Sequence, residues 1–350
     1  MASSVSPPTV TVVMIFLNAE VFLTEAIESV LAQTYQDYEL ILVDDGSTDS
    51  STAIAKDYAA RHPHRIRYTE HEGHQYRGMS ASRNHGVAAG RGRLISFLDS
   101  DDVWLPTRLE RFVAAIDAFP EAAMVYGPTM FWYSWETDHA LALKEPPKDQ
   151  VSKMRLPAEV LIEPPYPLQR FLETYGGALP GIGSLIFRRE AFDAVGGCEP
   201  DFRGLYEDQV FLSKMVARHR VVVIRDVLDL YRQHAASCCN QAITTGEYDP
   251  YDLHPARKRF LAWLEAYCAA HGIDDAGLMR ALHLQFRPYR SRFAGLMYRA
   301  KRVYPRAIEI ELRRRLPPGA RKVLKAVRTG LKALRRREEE EDVSPPPGVL

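Results

Sequence analysis

Short apolar runs alternate with amphipathic segments over the first 127 residues of the chain. The run 9–16 is almost entirely β-branched or apolar, as expected for a strand covered on both faces. Residues 20–33 repeat apolar side chains at helical spacing, and a second apolar run follows at 38–43. The rhythm continues with strands predicted at 65–69, 93–98 and 122–126, and helices after Asp49, at 80–89 and near Pro106. This alternation predicts an α/β fold with a doubly wound sheet.

The remaining sequence predicts a less regular second half and a helical C-terminal extension. Residues 128–181 are rich in proline and predict loops, before a strand at 184–188, a helix at 208–218 and a strand at 221–224. Four aromatic residues favour a half-buried strand over a sugar-stacking surface: Phe131, Trp132, Tyr133 and Trp135. The expected parts are a disordered N-terminus 1–8, a main domain 9–240 with halves 9–127 and 128–240, a helical region 241–337 and an acidic, Pro-rich tail 338–350.

Composition excludes several classes of protein. The chain has 45 Lys plus Arg and 45 Asp plus Glu, so it lacks the net positive charge of a dedicated nucleic-acid binder. Its four cysteines show no metal-ligand spacing and predict a reducing compartment. No apolar run reaches the roughly 20 residues of a membrane-spanning helix. We therefore expect a cytoplasmic protein.

Two acidic segments follow predicted strands. Asp44 and Asp45 follow the second strand, and Asp99, Asp101 and Asp102 follow the fourth. Ligands of open α/β sheets bind beyond the carboxyl ends of the strands. The first segment alone is typical of a turn with a helix cap. Carboxylates as close as those of the second repel one another unless a cation such as Mg²⁺ or Mn²⁺ neutralises them, although a solvated acidic turn is the alternative.

An ordered set of motifs resembles the family 2 inverting glycosyltransferases of the GT-A fold. The motifs span about residues 9 to 237 and read VTVVMIFLNAE, AIESVLAQTY, ELILVDDGSTD, SASRNHG, GRLISFLDSDDVW, GSLIFRREAF and LYEDQVFL. The resemblance implies transfer of a sugar, of hexosyltransferase type, from a nucleotide-diphosphate donor to the hydroxyl of a glycan or lipid-linked acceptor. A UDP-sugar is favoured as donor, and Mn²⁺ or Mg²⁺ is the implied cofactor. The expected context is assembly of cell-envelope polysaccharide.

The resemblance also implies roles for the acidic segments. Asp44 and Asp45 would hold the base and ribose of the donor, with Asp45 preferred. Asp101 would bind the metal that bridges the diphosphate. Asp99 would address the ribose or the metal shell, and Asp102 would be an additional or outer ligand.

Other positions would complete the donor site. Arg83 matches an arginine that reaches the nucleotide, and Arg232 and His234 match a segment that approaches the diphosphate or the metal. Phe16 and Asn18 are assigned to the nucleotide side. Their segment departs from the family, in which a Pro and a Tyr precede the asparagine.

An acidic pair supplies the implied catalytic residues. Asp208 would be the base and Glu207 would position it, because an inverting transfer requires one carboxylate to accept the proton of the acceptor hydroxyl. The alternative is that both residues only favour the N-terminus of a helix through its dipole.

Two other functions remain as alternatives. A sugar-phosphate nucleotidyltransferase would normally carry a Gly-rich phosphate loop after the first strand, where this chain has FLNAE. A non-catalytic nucleotide-binding protein would tolerate loss of the acidic pair or the metal motif, and both are present. A dinucleotide-dependent dehydrogenase is excluded, because GIGSLI lacks the required glycine spacing.

The C-terminal sequence is strongly basic. Residues 301–337 contain 14 Lys or Arg against two Glu. Apolar residues at helical spacing over 323–334 predict a basic amphipathic helix that rests on the inner face of a membrane. A solvated helix packed on its own domain is the alternative.

Overall fold

The computed structural model describes residues 6–135, 148–174, 177–249 and 252–302. The chain divides into two compact units, Met1–Asn240 and Gln241–Leu350. The first is a mixed α/β structure and the described part of the second is helical. No helix among the described residues is long and apolar enough to span a bilayer.

The strands of the described residues belong to the first unit. They are β1 (Val10–Phe16), β2 (Tyr38–Asp44), β3 (Ile66–Glu70), β4 (Leu94–Asp99), β5 (Val103–Trp104), β6 (Met124–Tyr126), β7 (Met130–Trp132), β8 (Gln150–Val151), β9 (Leu161–Ile162), β10 (Leu185–Arg188), β11 (Val221–Val223) and β12 (Asp229–Arg232). Eight strands form one sheet in the order β3-β2-β1-β4-β10-β6-β11-β9, and four form a second sheet in the order β5-β12-β7-β8.

The helices of the described residues follow the strands along the chain. They are α1 (Leu23–Leu31), α2 (Ser51–Arg61), α3 (Met79–Ala89), α4 (Arg108–Ala118), α5 (Tyr166–Thr174), α6 (Arg189–Ala194), α7 (Glu207–Arg218), α8 (Cys238–Thr245), α9 (Pro255–Ala270), α10 (Ala276–Arg290) and α11 (Arg292–Arg302). The basic helix predicted at 323–334 lies outside the described residues.

The centre of the large sheet brings the two acidic segments to one edge. β1 pairs in parallel with β2 on one side and with β4 on the other. Phe16 is opposite Asp44 and Ile15 is opposite Asp99, so both acidic turns flank the end of the same strand. Every residue of β1 and β2 is buried, as expected for parallel strands covered by helices.

The sequence predicted the starts of seven of the twelve strands and five of the eleven helices of the described residues to within three residues, and it did not predict β5, β8, β9 and β12. The half-buried aromatic strand expected near Phe131 is β7, whose three residues are partly buried. Helix α5 was missed in the segment predicted as loops. Its proline at the second position is compatible with a helix start, but the prolines around it pointed to irregular structure.

A buried arginine joins the two sheets. Arg108 on α4 donates from Nε to Asp229 on β12 at 2.7 Å and from Nη1 to Ser96 on β4 at 3.1 Å. Its guanidinium lies 3.7 Å from the ring centroid of Trp104. Burial raises the pKa of Asp229 and lowers the pKa of Arg108, and each charge opposes that effect on its partner.

We expect Arg108→Met to lower the free energy of unfolding by about 3 to 5 kcal/mol, because Asp229 would be left as an unpaired buried charge. The control is Arg93→Met, since the pair of Arg93 with Asp117 is half exposed and should be worth about 1 kcal/mol or less. Urea denaturation of both variants measures the difference. Equal losses would show that the buried pair does not hold the sheets together.

Candidate active site

The turn after β2 is built around Asp44. Its Oδ1 accepts hydrogen bonds from the backbone N–H groups of Gly46 and Ser47 at 3.2 and 2.8 Å. Its Oδ2 accepts from the hydroxyls of Thr52 and Tyr68 at 2.5 and 3.2 Å. Asp44 is fully buried, so these contacts shape the turn, and its role towards the nucleotide stays a prediction.

The neighbouring carboxylate, Asp45, fixes the segment that leads into α3. It accepts hydrogen bonds from the backbone N–H groups of Arg77 and Gly78 at 2.8 and 2.9 Å. Gly46 has φ +91°, and a Cβ there would lie 2.9 Å from the backbone nitrogen of Tyr76. This close approach of two backbone segments requires a glycine, because other residues would be strained and would clash.

Asn18 ties the end of β1 to the same turn. Its side-chain oxygen accepts from the N–H of Thr48 at 2.8 Å, and its own N–H donates to Ser47 Oγ at 3.1 Å. Phe16 is 2% exposed and packs in the hydrophobic core. The structure therefore places both residues beside the predicted donor turn, and their contact with a nucleotide remains to be tested.

Arg83 connects the second acidic turn to α7. Its Nη2 donates to Asp99 Oδ1 at 2.8 Å, and its Nη1 forms a close ion pair with Glu207. Ser80 donates to the other oxygen of Glu207 at 2.8 Å. Burial opposes the charge of Arg83, but Glu207 and Asp99 outweigh that effect and raise its pKa above the usual range. One buried guanidinium thus holds two parts of the site in register.

The turn after β4 presents the predicted metal ligands. The N–H of Asp102 donates to the carbonyl of Asp99 at 3.1 Å, which bends the chain. Asp102 Oδ1 accepts from the backbone N–H of Arg232 at 2.9 Å, and Asp101 Oδ2 lies 3.0 Å from His234 Nε2. The segment after β12 therefore meets the acidic turn directly.

This turn concentrates negative charge. Burial raises the pKa of Asp102 well above its usual range, and the charges of Asp101 and Asp99 add to the effect. Burial also raises the pKa of Asp99, against the influence of Arg83. A divalent cation would relieve this repulsion, and carboxylate oxygens with one imidazole suit Mn²⁺ or Mg²⁺. Asp99, Asp101, Asp102 and His234 lie around this turn, but no three of these four described residues place ligand atoms within 4.8 Å of one another, so their role as metal ligands stays a prediction.

Arg232 supports the acidic turn from behind. Its Nε donates to the backbone carbonyl of Asp101 at 2.8 Å, and its Nη2 donates to Glu25 on α1 at 2.6 Å. The side chain is 2% exposed. Three rings surround the guanidinium at centroid distances of 4.9, 4.6 and 4.8 Å: Phe22, Trp132 and Trp135. These contacts position the turn, whereas the predicted contact of Arg232 with the donor is not tested by them.

Asp208 lies in the first turn of α7 and is half-buried. Its Oδ1 accepts from the N–H of Gln209 at 2.8 Å. Burial and the charge of Glu207 raise the pKa of Asp208 to about 6. A carboxyl that ionises near neutral pH is suited to accept a proton during a reaction.

A group of residues that could bind a metal lies next to the turn after β2. Ligand atoms of Asp44, Glu70 and His74 are within 4.8 Å of one another, and in the part of the chain that the structure describes no other three His, Cys, Asp or Glu residues come this close. His74 places Nδ1 2.9 Å from Glu70 and Nε2 2.7 Å from the carbonyl of Ser47. We interpret the group as a hydrogen-bonded cluster that stabilises the turn after β2, because both ring nitrogens of His74 already have partners.

Several supporting residues carried no signal in the sequence. Ser80 and Glu25 are ordinary helical positions in the pattern, and their partners lie 127 and 207 residues away along the chain. Trp132 and Trp135 belong to the aromatic segment of the sequence, but no pattern there indicates that they enclose Arg232. Only the fold shows which distant side chain each residue meets.

Comparison of the sequence with models of protein families assigns the chain to a family. The model of "Glycosyl transferase family 2" matches residues 11–196. The chain belongs to glycosyl transferase family 2. This confirms the family expected from the motifs.

Curated relatives of this family 2 chain match over its first part. The protein named "Putative glycosyltransferase EpsE" of Bacillus subtilis (strain 168) is 42% identical over 112 residues, which cover 32% of this chain and 40% of EpsE. The minor teichoic acid biosynthesis protein GgaB of the same strain is 45% identical over 94 residues, 26% of this chain and 10% of GgaB. The matches thus span less than half the length of these relatives.

Solved structures show the same fold at low identity. TarS 1–349 of S. aureus in complex with UDP-GlcNAc gives a TM-score of 0.54 at 18% identity and covers 80% of this chain and 72% of that chain. The mannosyltransferase PcManGT from Pyrobaculum calidifontis, in complex with GDP-Man and Mn²⁺, gives 0.53 at 16% identity, with coverage of 97% and 84%. These likenesses confirm the GT-A fold with a helical C-terminal part.

The raised pKa of Asp208 predicts a pH-dependent gain in stability for Asp208→Asn. A carboxyl whose pKa is higher in the folded than in the unfolded chain lowers the stability of the fold as pH rises from the unfolded value of 3.8 to the folded value of about 6, and the loss is complete above it. We expect the free energy of unfolding of Asp208→Asn to exceed that of the parent by about 2 kcal/mol at pH 8 and by less at pH 5.

The exposed Asp193→Asn serves as the control and should follow the parent at both pH values. Urea denaturation at pH 5 and pH 8 provides the measurement. A difference that stays constant with pH, or a variant less stable than the parent at pH 8, would contradict the environment assigned to Asp208.

Proposed function

We propose that this chain is an inverting glycosyltransferase of hexosyltransferase type that moves a sugar from a nucleotide-diphosphate donor to an acceptor hydroxyl. The observation that carries the proposal is the Arg83 bridge between Asp99 and Glu207. It joins the turn assigned to the donor diphosphate to the helix that bears Asp208. A fixed relation between donor site and base is what a direct displacement requires.

The nucleotide is assigned to the turn of Asp44 and Asp45, beside Phe16 and Asn18. Hydrogen bonds within the protein hold this turn rigid, so the surface offered to a base and ribose is formed in advance. A UDP-sugar is the favoured donor, and one relative of similar fold was solved with UDP-GlcNAc. Another was solved with GDP-Man, so the choice of base is part of the proposal.

Asp101, Asp99, Asp102 and His234 are the proposed ligands of Mn²⁺ or Mg²⁺. When bound, the ion would neutralise the charge that develops on the leaving diphosphate. Asp101 is the central ligand, because its carboxylate faces His234 while its backbone is fixed by Arg232. Arg83 holds Asp99 in the orientation that this assignment needs.

Asp208 is the proposed base. Its carboxylate would accept the proton of the acceptor hydroxyl as the oxygen attacks the anomeric carbon on the face opposite the diphosphate, which inverts the configuration. Glu207 is held by Arg83 and Ser80 and acts on Asp208 through charge and position. A single carboxylate suffices, because the leaving group does not require an acid.

The acceptor is proposed to be a glycan or a lipid-linked sugar in cell-envelope polysaccharide assembly. GgaB is named for minor teichoic acid biosynthesis, which supports this context. We place the reaction in the cytoplasm, at the inner face of the membrane. Four cysteines in 350 residues, without metal-ligand spacing, support a reducing compartment.

We expect Asp101→Ala to abolish the metal-dependent part of UDP binding and sugar transfer, because the diphosphate would lose its bridging cation. Calorimetric titration of UDP, GDP and dTDP with Mn²⁺ or with EDTA measures this. The control Asp117→Asn changes an exposed carboxylate of α4 and should bind as the parent does. UDP binding of equal strength in EDTA would refute the metal assignment.

We expect Asp208→Asn to lower kcat by about 10² to 10⁴ while the affinity for the donor stays near that of the parent, because the variant cannot accept a proton. Activity of the parent should fall as pH drops below about 6, where Asp208 becomes protonated. Steady-state kinetics from pH 5 to pH 8 measure both effects.

Glu207→Gln serves as the comparison and should lose less activity, since Glu207 positions the base. A non-catalytic nucleotide-binding protein would show donor binding without turnover in the parent. An Asp208→Asn variant that keeps most of its kcat, or a larger loss from Glu207→Gln, would show that the base is assigned wrongly.

A further inference from the structure

The last described helix of the second unit, α11, exposes an apolar face. Phe293, Leu296 and Met297 are 69%, 56% and 40% exposed. Positions three and four apart lie on one side of a helix, so the three side chains form a continuous stripe. Exposed large apolar side chains grouped in this way mark an interaction site more often than isolated ones do.

The opposite side of α11 packs against α10, which fixes the direction of the stripe. A Cβ on Gly295 would lie 2.9 Å from the carbonyl oxygen of Pro288, so the two helices approach closely there. Ala294 and Tyr298 are partly buried on this side. The small residues face α10, and the apolar stripe faces away from it.

The surface around the stripe is basic. Residues 276–302 contain seven Lys or Arg and no Asp or Glu. Arg290 pairs with Glu265 and Arg299 pairs with Asp252, both at partly exposed positions. An open depression of about 330 Å³ places Arg292 and Arg299 next to Leu296; its lining is Leu253, Pro288, Arg292, Gly295, Leu296 and Arg299.

We propose that this face of α11 binds the surface of an anionic phospholipid bilayer. Phe293, Leu296 and Met297 enter the boundary between headgroups and acyl chains, and Arg292 contacts lipid phosphates from the depression beside them. The proposal concerns only the second unit and does not depend on the transfer reaction.

Charge distinguishes an anionic bilayer from a second copy of the chain, the following segment and a nucleic acid as the partner of this face. A second copy of the chain would bring two basic faces together, which costs repulsion. The following segment of the chain, 303–337, carries twelve Lys or Arg and two Glu and is repelled in the same way. A nucleic acid would pair with the arginines but would leave the three apolar side chains in water. An anionic bilayer matches both properties.

The test is flotation of the full-length chain with vesicles of phosphatidylcholine alone or of an equal mixture with phosphatidylglycerol. We expect binding to the mixed vesicles at low salt, little binding to the neutral ones, and release as salt rises. Phe293→Ser combined with Leu296→Ser should weaken binding by about tenfold or more. Arg292→Gln should weaken it by about fivefold.

The matched control is Val151→Ser, which removes an exposed apolar side chain from β8 in the first unit. It should bind vesicles as the parent does, and all variants should keep the parent's circular dichroism and UDP binding. A double variant that floats like the parent would overturn the proposal. So would dimerisation of the parent, by sedimentation velocity, that the double variant abolishes, or binding of duplex DNA in preference to the mixed vesicles.

Discussion

The arrangement of the site depends on the ion pairs of Arg83. This side chain is 2% exposed and lies between Asp99, at the end of β4, and Glu207, at the start of α7. The arginine is required for this arrangement, because its removal would leave two carboxylates in the site without a positive partner. The position of α7 relative to the turn after β4 is therefore set by charge as well as by packing.

Two other buried arginines stabilise the structure around this bridge through hydrogen bonds and contacts with aromatic rings. Arg232 is enclosed by rings and hydrogen-bonded to the backbone of Asp101, so the acidic turn is held from behind. Arg108 does the same for the junction of the two sheets. Arg232 thus holds the acidic turn in a formed conformation, which is the preorganisation that the proposed binding of a charged diphosphate requires.

The two units separate the chemistry from the surface contact that we propose. The residues assigned to donor, metal and base all lie in Met1–Asn240, whereas the basic apolar face belongs to Gln241–Leu350. Binding to a membrane and binding to a nucleotide sugar can therefore be examined with different substitutions in the same chain. The acidic turns supply negative charge in one unit, and the second unit offers positive charge beside apolar side chains.

The sequence by itself determined the main strands of the large sheet and the edge at which the acidic residues lie. The spacing of apolar residues distinguishes strands from helices, and parallel strands have their carboxyl ends at the same edge of the sheet. The sequence also determined the family, because the ordered motifs can be read directly from the amino-acid sequence. Only the tertiary structure decided that Glu207 meets Arg83, that Glu25 meets Arg232 and that α5 forms among prolines. Such contacts join residues far apart along the chain, and no local pattern records a partner that is brought near by folding.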